Sequence, residues 1–171
     1  MKLPLKFAVR DGRQYVVSLA ATALALGGLI YIIDRAPGSV YLFPAGISLY
    51  DGAPHWFGAL GGCLPDFLHA FAFSLVTAIL LGVSRATALA CSAGWWLIDS
   101  LFEFGQHPAV SHALAAALPA WFEDIPVLKN AAAYFIQGTF DPWDIAAITA
   151  GSVCACVLLL RSKDHSHAAS H

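Results

Sequence analysis

Nineteen consecutive residues without a charge, Tyr15 to Ile33, constrain this chain more than any other feature. At 1.5 Å per residue such a run forms a helix about 28 Å long, which matches a hydrocarbon core of about 30 Å. A helix that is apolar on every face suits a lipid setting better than a water-facing one. The segment before it carries Lys2, Lys6, Arg10 and Arg13, as a secretory leader would. However, the run exceeds the usual leader core of about 7–15 residues and ends at Asp34-Arg35 without a small-residue cleavage pattern. It is therefore expected to be retained and to span.

The same reasoning extends along the chain. Apolar side chains make up 58% and charged ones 12%, far from the usual balance of roughly half and a quarter, so lipid is the expected solvent for much of the surface. Three more runs are long enough to cross. The expected fold is all-α, a polytopic transmembrane helix bundle with four spanning helices at about 15–33, 64–84, 86–104 and 143–160, forming a single membrane domain. Pro65 is expected in the first turn of the second helix, where its missing N–H costs nothing. Residues 34–63 are rich in Gly, Pro and aromatics, among them Tyr41, Phe43, Tyr50, Trp56 and Phe57, and are expected to form an interfacial loop. Between 105 and 142, Pro108, Pro119 and Pro126 break the pattern, so short interfacial or re-entrant helices are expected at 109–118 and 127–136. Residues 161–171 are expected to be a disordered tail.

Lys and Arg placement sets the orientation. With the N-terminus inside, seven of the nine basic residues fall on the cytoplasmic side and only Arg35 and Lys129 fall outside, which favours cytoplasmic N- and C-termini. The bilayer is the first expected partner. Neither end interleaves basic and aromatic residues, so nucleic-acid binding is not expected. Cys63, Cys91, Cys154 and Cys156 are better suited to small apolar filling than to a disulfide framework. No HExxH, glycine-rich phosphate loop or nucleophile elbow is present, so no cofactor is expected.

That topology gathers polar residues at one depth. Asp66 and His69 fall at the outer start of the second helix, Asp99, Glu103 and Gln106 in the outer half of the third, and Asp141 and Asp144 at the outer start of the fourth. Their spacings of three or four put each pair on one helix face. With the third helix leaving the hydrocarbon near His107, Glu103 lies about 6 Å and Asp99 about 12 Å below the boundary. A lone carboxylate in the middle of a bilayer costs about 2.5–3.5 kcal/mol on insertion scales and less near the edge, so these groups should face inward and find partners. Either they line a polar pocket open to the outer leaflet or they form a network that only holds the helices in register. Asp66 and Asp141 also suit helix N-termini, where acids interact well with the dipole. Trp95 and Trp96 lie deeper than an interfacial belt, which points to helix packing.

The order Pro65-Asp66-x-x-His69-x-x-x-Phe73, then Asp99-x-x-x-Glu103-x-x-Gln106, then Phe140-Asp141-x-x-Asp144-Ile145 leading to Gly151 resembles the VanZ-like family of small multi-helix membrane proteins, named after a teicoplanin-resistance protein. The resemblance covers about Leu64 to Leu160 and marks His69, Glu103, Gln106, Asp144 and Gly151. Many members carry Asn where this chain has Ile148, and Arg where Gly138 and Thr139 stand. The resemblance implies a place in the bacterial cytoplasmic membrane and a part in handling an outer-leaflet amphiphile.

Three kinds of function fit these residues. One is an envelope protein that binds a lipid-linked sugar, peptide or amphiphilic ligand in the acidic pocket. A second is a membrane enzyme acting on a lipid-linked substrate, with Glu103 or Asp144 as general base and His69 as acid or metal ligand. The third is a structural subunit that joins a membrane-protein partner or a homo-oligomer.

Overall fold

The computed structural model describes residues 5–35, 47–52, 56–126 and 128–168, with side chains from Gly12 to Ser162. Within them the chain is helical, with no strand. The elements are α1 (Leu5–Asp34), α2 (Leu60–Leu81), α3 (Arg85–Gly105), α4 (Ser111–Ala117), a 3-10 turn (Ala120–Asp124), α5 (Ala131–Gln137) and α6 (Pro142–Ala168). Among the described residues three helices are long and apolar enough to cross a membrane, over Gly12–Asp34, Leu60–Leu81 and Pro142–Ser162. The fourth long helix, α3, matches them in length but carries Arg85, Asp99, Glu103 and two tryptophans, which lower its apolarity.

α2 packs against α1, α3 and α6, and α3 also packs along α6. One buried cluster combines Val16 and Ala20 of α1, Leu75 and Ala78 of α2, Ala88 and Cys91 of α3, and Ala155 and Leu159 of α6. A second joins Ala23 and Ile30 of α1 to Leu68 and Ala72 of α2. These layers fix the directions of the helices. The start of α1, the end of α2, the start of α3 and the end of α6 share one end of the bundle, so α1 and α3 run antiparallel to α2 and α6. The small residues on these faces let backbones approach, which is how helices associate where burial from water offers no drive. At Gly151 the approach is closest, because a Cβ there would collide with the Phe67 carbonyl oxygen of α2.

The helix ends differ from the sequence expectation in three places. α2 ends at Leu81 rather than 84, because Gly82 turns at φ 87° and Ser84 caps α3. Ser84 Oγ accepts from the Thr87 N–H at 3.0 Å while Thr87 Oγ1 accepts from the Ser84 N–H at 2.7 Å, so Thr takes the usual Glu place of a capping box. α2 also begins four residues early, at Leu60, which puts Pro65 inside the helix rather than in its first turn. Pro65 has no N–H for the Gly61 carbonyl, and Arg35 serves that edge instead, donating to Gly62 O at 2.9 Å and reaching Gly61 O at 3.5 Å. Finally, residues 161–168 of the expected tail continue α6, and 169–171 lie outside the described residues.

The segment between α3 and α6 folds back over the end of α3. α4 and α5 pack on each other, and Phe135 and Leu114 rest against the Gly105 backbone. Phe102 stacks on Phe135 with centroids 5.9 Å apart. In the first loop, Leu49 N–H donates to Ile32 O at 2.8 Å. Tyr41 and Phe43 lie outside the described residues. All four cysteines are free thiols.

Candidate functional site

The polar end of the bundle is built by alternate helix faces. On α3, Trp95 and Asp99 are four apart and turn toward α2, where Trp95 Nε1 donates to Thr77 Oγ1 at 2.8 Å and Asp99 Oδ2 lies 3.1 Å from His69 Nδ1. Trp96 and Glu103 turn toward α6, where Trp96 Nε1 donates to Thr149 Oγ1 at 3.0 Å and Glu103 Oε1 accepts the Asp141 N–H at 2.7 Å. Thr77 and Thr149 in turn donate to the carbonyls of Phe73 and Ile145. The two tryptophans therefore pin helices together, each through its indole N–H.

Glu103 is 6% exposed, although its α3 neighbours Leu101, Phe102 and Phe104 are half exposed or more. Its second oxygen accepts from Gln106 Nε2 at 3.4 Å, and the same nitrogen donates to Tyr134 Oη at 2.9 Å. Gln106 is seated against Gly138, where any side chain would strike its Oε1. Burial, and then the carboxylates of Glu103 and Asp66, push the Tyr134 hydroxyl well above the usual tyrosine range. It is thus a neutral hydroxyl at any ordinary pH.

Asp141 and Asp144 meet this group from α6. Asp141 Oδ1 accepts the Trp143 N–H at 2.9 Å, an N-cap placed directly before Pro142 in the first helical position. Asp144 stands in the first turn, where the dipole favours an acid. Asp66 lies within electrostatic range of Asp144, Glu103, Arg35 and His69, and Tyr31 within range of Asp66, Arg35, Asp144 and Asp99. The seven residues that the sequence groups at one depth are therefore brought to one end of the bundle. Asp99 faces α2 with an 11% exposed side chain, and His69, 47% exposed, packs at a tilt against Phe73 at 4.4 Å and meets Trp95 edge-on at 5.6 Å.

Four contributors escape sequence reasoning. Asp34 is 2% exposed and accepts the N–H groups of Trp56 and Phe57 at 2.8 and 3.0 Å, so the turn before α2 has its donors met from the end of α1. Arg35 follows on the carbonyls of α2, while Tyr31 and Tyr134 add hydroxyls. The Asp34-Arg35 dipeptide reads as no more than the polar edge of a span, and only the fold shows that it clamps the next helix. Tyr134 lies in an alanine-rich stretch that carries no polar signal.

Among the described residues no group of three or more His, Cys, Asp or Glu side chains is placed to hold a metal ion. The arrangement offers carboxylates that accept hydrogen bonds, two cationic or potentially cationic groups and two phenols, at one end of an apolar bundle. This is an all-helical protein with three helices of membrane-crossing length and an acidic cluster at one end. Comparison with known proteins finds no matching family model, no matching curated protein and no matching solved structure.

Proposed function

We propose that this chain is a four-span protein of the bacterial cytoplasmic membrane, VanZ-like in kind, that binds an outer-leaflet amphiphile or lipid-linked headgroup in its acidic recess. α3 supplies the fourth crossing. It is as long as α2 and antiparallel to it, packing with the apolar cluster at one end and with the polar group at the other. The Lys and Arg distribution supports cytoplasmic termini and an acidic end that faces outward.

The observation that carries the binding reading is the contrast among the carboxylates. Glu103, Asp99 and Asp141 are engaged by neighbouring groups, whereas among the described residues the half-buried side chains of Asp66 and Asp144 take no hydrogen bond. Acids that serve only to join helices would be bonded to them, and intramembrane ionisable groups without that duty mark sites. Asp144→Asn and Glu103→Gln in lipid nanodiscs test the reading. Both variants insert and remain helical, and Asp144→Asn weakens retention of the bound amphiphile about tenfold or more, the effect of about 1.4 kcal/mol. Wild-type retention by both would exclude the recess as the site.

A second reading, a membrane enzyme on a lipid-linked substrate, draws on the His69–Asp99 pair, since a carboxylate that orients an imidazole is the usual support of an acid–base histidine. Turnover of a lipid panel that disappears in His69→Gln would support it. Retention without turnover supports binding alone.

A further inference from the structure

We propose that the exposed seam between α3 and α6, at the end of the bundle opposite the acidic recess, holds an anionic phospholipid. Its phosphate rests on Arg85 and Arg161, and one acyl chain lies along the apolar residues between those arginines and the middle of the bundle. The site is separate from the recess and rests only on the four-span placement of α3 and α6.

The Trp96–Thr149 hydrogen bond, 3.0 Å long, marks where the two helices meet near their middles, and Trp96 is still 41% exposed there. From that bond two columns run at steps of four or seven residues, spacings that stay close to one helix face. On α6 the column is Val153, Val157 and Arg161, and on α3 it is Leu89 and Arg85. The helices are antiparallel, so both columns finish at the same end of the bundle. Val153 is 55%, Val157 42% and Leu89 51% exposed, and both arginines are exposed. Each arginine therefore stands four residues from an exposed aliphatic side chain, on the side toward the bundle middle.

The columns also have the right length. Residues 85 to 96 on α3 and 149 to 161 on α6 cover about 16–18 Å at 1.5 Å per residue. One leaflet of hydrocarbon is about 15 Å deep, half of the usual core of about 30 Å. A chain lying from the midplane to the leaflet boundary would thus put its headgroup phosphate at the level of the two guanidinium groups.

Charge names the headgroup. Arg35 at the other end is held on Gly62 O, whereas the guanidinium groups of Arg85 and Arg161 take no hydrogen bond or ion pair among the described residues. α3 carries no acid between Arg85 and Asp99, and α6 none between Asp144 and Asp164, whose charge Lys163 beside it offsets. A planar guanidinium meets phosphate oxygens through two parallel N–H bonds. A zwitterionic headgroup would bring its own cation to the arginines. An acidic peptide or a nucleic acid would match the charge and leave the apolar columns without a chain.

Quenching of Trp96 fluorescence by lipids brominated in mid-chain tests the site. Phosphatidylcholine nanodiscs receive an equal small share of brominated phosphatidylglycerol or of brominated phosphatidylcholine, and the signal of Trp96→Phe is subtracted from that of the wild type. Quenching should report a preference of about tenfold or more for the anionic lipid, and Arg85→Gln or Arg161→Gln should each lower it about fivefold, the usual effect of one basic residue at an anionic surface. Arg85→Lys and Arg161→Lys keep the charge and should keep most of the preference. Arg13, exposed on α1, which packs against α2 and α6, belongs to the same basic end but to neither column, so Arg13→Gln should change the preference less than about twofold. Equal quenching by the two lipids, or an unchanged preference in the double glutamine variant with helicity retained, overturns the proposal. A loss in Arg13→Gln as large as in Arg85→Gln would mean a diffuse field in place of a site and overturns it too. These outcomes leave the four-span reading standing, whereas no quenching of Trp96 by either lipid removes the site and that reading together.

Discussion

Each oxygen of Glu103 has its own partner, one on the backbone of α6 and one on Gln106, which passes the contact to Tyr134. Glu103→Gln keeps a carbonyl for the Asp141 N–H, whereas Glu103→Ala leaves that donor unmet. Loss of one partner of a buried donor costs about 1–3 kcal/mol, so the alanine variant should unfold earlier than the glutamine variant in a detergent denaturation series. Tyr134 gives a pH-dependent counterpart. Its hydroxyl stays protonated in the folded protein at pH values where the unfolded chain, with an ordinary tyrosine pKa of about 10, releases that proton. Between those limits the folded state binds more protons, so stability falls as pH rises above about 10 and is unaffected by this group below it. The ultraviolet difference between wild type and Tyr134→Phe at pH about 10 should show no phenolate band, and a half-ionised signal would refute the burial of that hydroxyl.

At the scale of elements, the long helices and the gathering of their acids at one end are legible in the sequence because length, apolarity and helical spacing follow simple rules. Asp99 and Glu103 declare their inward face by standing among Leu97, Ile98, Leu101 and Phe102, which the fold leaves exposed. Helix ends are less legible, because they are decided by tertiary partners. The early start of α2 depends on Asp34 meeting the N–H groups of the preceding turn and on Arg35 meeting the carbonyls beside Pro65. Neither follows from local pattern. Arg35→Ala should therefore loosen the first turns of α2, seen as faster amide exchange over residues 60–64 and at Asp66 than elsewhere in the helix. The seam between α2 and α6 is similarly specific. Gly151→Val forces a side chain onto the Phe67 carbonyl and should lower stability by about 1–3 kcal/mol, measured by denaturant midpoint in detergent. The Trp96–Thr149 bond should show a coupling of about 0.6 kcal/mol, the average for such bonds between membrane helices, in a double-mutant cycle.

Two physical demands act on the molecule as a whole. Apolar faces turn outward and the acids turn inward at one end, and the proposed four-span reading requires α3 to cross the membrane between α2 and α6. A cysteine-free background with single cysteines at positions 84 and 109, labelled in intact cells by a membrane-impermeant maleimide, tests this directly. Position 109, just past the end of α3, should react from outside, and position 84, just before its start, only after the membrane is opened. Labelling of both from the same side would mean that α3 does not cross, and the acidic end would lose its place at the outer surface.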